Sequence, residues 1–302
     1  MPNTVRPMQI LIMSLALAAA LTGCSRQPAQ QAVSPRPPVA TTAPPERPTA
    51  DVDDLVAVGS AAARLHLTCS GAGPATVLVL PGFGDAGDSW GAVLPALRSR
   101  SRVCVPSRYG TGTSDAPPSD QTFTTQVRDL RRALEAAGEP GPYVVVGHSF
   151  GGDEAITFAS EFRDEVAGLL LVDASPATWP AAVCAVPDDG SDVARSFRDT
   201  CSTISSASAN PERLDGRRAF AEVGAIDTLG DLPMRVLTRA EVSYPGLAVE
   251  RARSLASTWH DGQAHWASLS SASRVVAVAS TGHSIQIDQP AAVVEHLSAL
   301  LP

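Results

Sequence analysis

Gly147-His148-Ser149-Phe150-Gly151 sets a serine between two glycines, directly after the β-forming run "YVVV" and directly before a helical pattern. The order G-x-S-x-G between a strand and a helix is that of a nucleophile elbow, a turn so sharp that side chains beside the serine would not fit. A serine attacks only when a neighbouring base takes its proton and a further group orients that base. His283, in "STGHSIQIDQP", lies just after the last apolar run and just before the C-terminal helical pattern, which makes it the base candidate. The other five histidines fit less well. His66 alternates within a strand, His148 is the variable position of the motif, His296 belongs to a terminal helix, and His260 and His265 flank a Trp-containing helical stretch.

The elements that must position these residues are legible as apolar runs. "TVLVLPG" from Thr76, "RVCVPS" from Arg102, "YVVVGHS" from Tyr143, "GLLLVDA" from Gly168, "MRVLTRA" from Met234 and "RVVAVAS" from Arg274 are nearly continuous in hydrophobicity. That is the pattern of strands buried on both faces. Helical patterns separate most of them, such as "TTQVRDLRRALEAAG" closed by Gly138 and "PAAVVEHLSALL" opened by Pro290. Strands alternating with helices predict an α/β domain with a mainly parallel, doubly wound sheet and helices on both faces. One interval, about 175–231, has no convincing buried strand and carries turn residues and acidic clusters, so it reads as a cap insertion over the sheet.

A chain of 302 residues can bury a sizeable core, and its net charge of −8 with no long basic run argues against nucleic acid as a partner. Arg6 precedes the apolar run "ILIMSLALAAAL", which is short for a membrane span and reads as a secretory signal. The run ends in Leu21-Thr22-Gly23-Cys24, which resembles the lipobox of bacterial lipoproteins. That resemblance implies a signal peptide over 1–23, a lipid on Cys24, and a mature protein held outside the cytoplasm on the bacterial cell membrane. Residues 24–50 are Pro-rich and lack apolar periodicity, as a tether would, and 51–302 form the folded domain. Export permits disulfides. Cys69 and Cys104 both fall in strand-like segments, whereas Cys184 and Cys201 share one irregular segment, so the expected pairs are Cys69–Cys104 and Cys184–Cys201. No C-x-x-C occurs, and no metal site is expected.

From about Leu65 to Leu301 the chain resembles the α/β-hydrolase superfamily. "LPGFGDAGDSW" is similar to its oxyanion loop with a downstream Trp90, "SRYGTGTSD" to its Gly-rich turn, "VGHSFGG" to its elbow and "GHSIQIDQP" to its histidine loop. Pro81 replaces the His, and Ser107 the Asp, that many members carry there. The resemblance implies an acid between serine and histidine in chain order. Asp173, at the end of "GLLLVDA", is preferred, with Glu241 after "MRVLTRA" as the alternative. It also implies an oxyanion hole from the backbone N–H groups of Phe83 and Phe150, an acyl-enzyme on Ser149, a small-molecule ester or lipid as substrate, and no cofactor. An aspartate in place of Ser149 would have suggested a dehalogenase or epoxide hydrolase. Carboxylesterase or lipase-like chemistry is therefore expected, with peptidase, thioesterase, lactonase and cofactor-free haloperoxidase activities, or a binding lipoprotein without catalysis, as alternatives.

Overall fold

The apolar runs form the centre of an eight-stranded sheet in a computed structural model that describes residues 48–59 and 63–302. The expected signal peptide, the lipobox with Cys24 and nearly all of the tether lie outside the described residues. In chain order the strands are β1 (Val52–Ala57), β2 (Arg64–Ser70), β3 (Thr76–Leu80), β4 (Arg102–Pro106), β5 (Tyr143–His148), β6 (Val166–Val172), β7 (Met234–Arg239) and β8 (Ser273–Val278). Their spatial order is β1-β2-β4-β3-β5-β6-β7-β8. From β4 onward all neighbours are parallel, whereas β1 and β2 join the edge antiparallel. β1, "VDDLVA", escapes the apolar-run reading because an exposed edge strand needs little hydrophobicity. β8 departs from expectation in the other direction: its run reads as doubly buried, yet it closes the far edge and leaves Val275 47% exposed.

The helices are α1 (Leu94–Arg98), α2 (Phe123–Ala136), α3 (Phe150–Glu161), α4 (Trp179–Cys184), α5 (Asp192–Ser205), α6 (Gly216–Gly224), α7 (Val249–Ser268), α8 (Ile285–Asp288) and α9 (Pro290–Ser298). Thr122 caps α2 through a reciprocal exchange with Thr125, and Gly138 ends it at φ 72°. Alternate residues of the central strands feed two cores. Leu78, Val145, Leu169 and Leu171 pack with Phe123, Phe158 and Trp266 on one face. Val77, Val79, Val144, Val146 and Leu170 pack with Trp90, Val293 and Leu297 on the other. Helices therefore cover both faces, as a parallel sheet requires.

The long interval between β6 and β7 is helical: α4, α5, a 3₁₀ turn at Ala207–Ala209, and α6. Cys184 of α4 is bonded to Cys201 of α5, and Cys69 of β2 to Cys104 of β4. At the start of the domain Arg102, fully buried, donates from Nη2 to Glu139 Oε1 at 2.5 Å and to Ala50 O at 2.7 Å, and from Nη1 to Gly71 O at 3.3 Å. A buried guanidinium is tolerable only when its donors are satisfied and its charge is paired.

Candidate active site

Ser149 stands between the C-terminal end of β5 and the first turn of α3 with φ 52° and ψ −124°, a conformation that costs a non-glycine residue of order 1–3 kcal/mol. The glycines around it make this possible. A Cβ on Gly147 would strike the carbonyl of Gly151, one on Gly151 would strike those of Leu80 and Pro81, and one on Gly152 would strike the Ala174 side chain. The fold then fixes the turn through its own backbone, with Ser149 N donating to Val172 O at 3.2 Å and Gly152 N to Ser149 O at 2.8 Å.

His283 follows β8 on the loop before α8, and its Nε2 lies 3.0 Å from Ser149 Oγ. Its Nδ1 lies 2.7 Å from Oδ2 of Asp173, which directly follows β6, the strand next to β5. Asp173 is fully buried and its other oxygen, Oδ1, is surrounded by donors: Trp259 Nε1 at 2.8 Å, and Arg239 N and Thr238 Oγ1 at 3.3 Å each. Burial alone would neutralise this carboxyl. The hydrogen bond and charge of His283, the charge of Arg239 and the Trp259 indole outweigh burial and hold it below the usual carboxylate range. Asp173 is thus an acceptor, His283 Nδ1 donates to it, Nε2 is left bare, and Ser149 donates its proton to Nε2.

Of the two acids considered, Asp173 meets His283. Glu241 stands exposed on the loop after β7, and the alternative assignment is corrected: that strand end supplies Thr238 and Arg239 as supports for Asp173. Neither Trp259 nor Arg239 stands in a recognisable motif of the sequence. Arg239 stacks 4.7 Å over the Trp259 ring and its Nε lies 3.4 Å from Asp173 Oδ2. Trp259 also meets the His283 ring edge-on at 5.1 Å. His148 packs on the other side of His283, ring centroids 4.7 Å apart, with its Nε2 3.0 Å from the His283 carbonyl. Burial, and then the neighbouring His283, push its pKa down to about 4, so His148 is neutral at pH 7.

The segment after β3 approaches from the opposite side. Gly82 sits so close that a Cβ there would press on His148 and lie 3.6 Å from Ser149 Cβ. The Phe83 N–H has no hydrogen-bond acceptor among the described residues, and Phe150 N–H, at the first position of α3, has no intrahelical one. The two phenyl rings touch at 5.2 Å. Behind them a buried ion cluster grips the loop. Arg108 donates to Pro81 O at 2.7 Å and to Gly82 O, and is paired with Glu212 at 2.7 Å and Glu154 at 3.0 Å. Glu212 Oε1 in turn accepts from Gly84 N at 2.7 Å. Both peptides flanking Phe83 are thereby held. One cation serves two buried carboxylates, and burial, with Glu212 alongside, raises Glu154 to about 7 against the pull of Arg108.

A cleft of about 490 Å³ opens between Phe83 and Phe150 on one wall and Asp192, Arg195, Asp199 and Thr203 of α5 on the other. Trp179 of α4, Phe197 of α5, Tyr244 and Trp259 form an aromatic cluster beside the histidine.

Comparison with known proteins agrees with the fold. A family model described as the alpha/beta hydrolase fold matches residues 75–209, from β3 through the elbow and into the helical interval. The chain is 34% identical over 160 residues to lipase LipV of Mycobacterium tuberculosis, covering 52% of this chain and 53% of that one. It is 33% identical over 113 residues to a soluble epoxide hydrolase of Corynebacterium sp., covering 37% and 39%. The chain thus spans about half or less of the length of these curated relatives. A thermophilic esterase from Thermogutta terrifontis superposes with a TM-score of 0.55 at 22% identity, over 83% of this chain and 97% of that one, which shows the shared fold.

Proposed function

We propose that the chain, whose residues 75–209 match a family model of the alpha/beta hydrolase fold, is a serine hydrolase that cleaves a carboxylic ester through Ser149, His283 and Asp173. The observation that carries this reading is the unbroken hydrogen-bonded line from a strained serine to a buried carboxylate, 3.0 Å and then 2.7 Å. In the proposed reaction His283 Nε2 takes the Ser149 proton as Oγ attacks the ester carbonyl. The charge developing on the carbonyl oxygen is received by the N–H groups of Phe83 and Phe150, the latter favoured by the positive end of α3. His283 then protonates the departing alcohol, and water, activated by the same nitrogen, releases the acid. Asp173 keeps the imidazole in the required tautomer throughout.

A serine at the elbow, where a carboxylate nucleophile would suit epoxide opening, and the likeness to a lipase favour esters as the substrate class. The test is labelling of the purified protein with a fluorophosphonate probe. Wild type should label, and Ser149→Ala and His283→Ala should not; folded wild type that stays unlabelled would transfer the lead to a non-catalytic binding role.

We extend the proposal to location: export and lipid attachment at Cys24, with helices α4–α6 as a cap over the cleft. Support comes from the lipobox-like "LTGC" and from two disulfides, which persist in oxidising compartments. Cys24→Ala should move the protein from the membrane fraction to the soluble one, and retention in the membrane would sink the lipid anchor.

A further inference from the structure

Ser175 lies two residues beyond Asp173 and brings a second hydroxyl to the nucleophile: its Oγ is 3.3 Å from Ser149 Oγ, and the residue is 1% exposed. No other hydrogen-bond partner for that hydroxyl exists among the described residues. Its position is fixed from several directions. Asp173 turns the chain at φ 45°, and Ser175 N donates to Ser149 O at 3.3 Å. Two side chains of α7 hold the adjoining carbonyls, with Gln263 Nε2 on Ala174 O at 2.7 Å and Trp266 Nε1 on Ser175 O at 3.0 Å. Gly262 abuts Pro176, and Gly152 abuts Ala174, so closely that neither position accepts a Cβ.

Hydrogen-bond arithmetic gives the direction of the contact between the two serines. Ser149 has a single hydroxyl proton, and His283 Nε2 takes it, because Nδ1 already donates to Asp173. Ser149 Oγ can therefore only accept from Ser175. At 3.3 Å this bond is long for O–H···O, whose common distance is about 2.7–2.8 Å, and it is weak while Ser149 is neutral. It strengthens when Oγ carries negative charge, since hydrogen bonds to an ionised oxygen are shorter and roughly twice as strong. A contact that gains in the transition state relative to the ground state is what accelerates a step.

We propose, on the basis of the serine-hydrolase reading, that Ser175 is a further catalytic residue whose hydroxyl donates to Ser149 Oγ and promotes deacylation. In that half-reaction water adds to the acyl carbonyl while its proton passes to His283 Nε2. Collapse of the tetrahedral intermediate breaks the C–Oγ bond, the electron pair goes to Oγ, and the imidazolium returns the proton there. Ser175 keeps its own proton and stabilises the charge on the leaving Oγ. Acylation benefits less, because the same hydrogen bond lowers the nucleophilicity of Oγ as it eases loss of its proton.

Pre-steady-state release of p-nitrophenol from p-nitrophenyl acetate by the full-length protein separates the two halves. Ser175→Ala should lower the deacylation rate constant roughly ten- to hundredfold, the range expected for a hydrogen bond to a charged group. Its acylation rate constant should stay within about threefold, so that a burst of one product per enzyme grows over the wild type. Ser175→Thr, which restores a hydroxyl, should recover most of the deacylation rate. Deacylation unchanged in Ser175→Ala, or acylation and deacylation falling together as a packing defect would cause, overturns the role of Ser175 alone. A wild type that neither labels with fluorophosphonate nor releases p-nitrophenol overturns the hydrolase reading, and this inference with it.

Discussion

Asp173 shows why the identity of a residue is less informative than its surroundings. Two carboxylates stood at strand ends in the right part of the chain, and what separates them is burial beside the imidazole. Asp173 is fully buried and carries four donors, whereas Glu241 is exposed. Asp173→Asn would keep the shape but donate where it should accept, leaving His283 in the wrong tautomer. The expected loss in kcat is roughly four orders of magnitude, with Glu241→Gln close to wild type, both measured by steady-state ester hydrolysis. Equal losses in the two variants would return the acid to an open question. Ser149 and His283 were legible because a glycine-hemmed serine and a histidine after the last strand are local patterns. Trp259 and Arg239 were not, because each reaches Asp173 from a partner 86 or 66 positions away, a relation that no local spacing records.

Among elements, the segment after β3, the proposed oxyanion loop, has the most elaborate support. Arg108 of the Gly-rich turn, Glu154 of α3 and Glu212 of the helical interval meet behind it, so three distant parts of the chain hold one loop. The turn was visible as "SRYGTGTSD", but the convergence of its arginine on two carboxylates was not. Glu154 gives this cluster a pH signature. Its carboxyl is raised from an ordinary 4.5 to about 7 by burial, so the folded state favours the uncharged form. The stability this contributes is complete below pH 4.5 and is lost as pH rises through about 7. Glu154→Gln preserves the uncharged shape at every pH. Its melting temperature should match the wild type near pH 5 and exceed it near pH 8, as thermal melts at the two values would show. A variant less stable than wild type at pH 8 would mean that the ionised pair with Arg108 outweighs the burial of charge. The strands were the most legible elements of all, since a sheet covered on both faces demands continuous apolar runs. The two edges were the exceptions: β1 carries too few apolar residues to be noticed, and β8 carries more than its exposure requires.

For the whole molecule, the sheet order places Ser149 and Asp173 in its middle and the N-terminal entry at one rim. β5 and β6, which Ser149 and Asp173 directly follow, are neighbours, while β1 is the outermost strand on the side where the chain enters. β1 runs antiparallel to β2, with Val52 opposite Cys69, and just ahead of it Arg102 grips the carbonyl of Ala50. Suppose the protein is held by its N-terminus and dragged. Tension would act first on the Arg102 grip and would then open β1 from the Val52 end, one pair at a time, as a zipper opens. It would stop at β2, which is bolted to β4 through Cys69 and Cys104. The rim would act as a mechanical fuse, sacrificed under load while the strands bearing the serine and the aspartate stay in register.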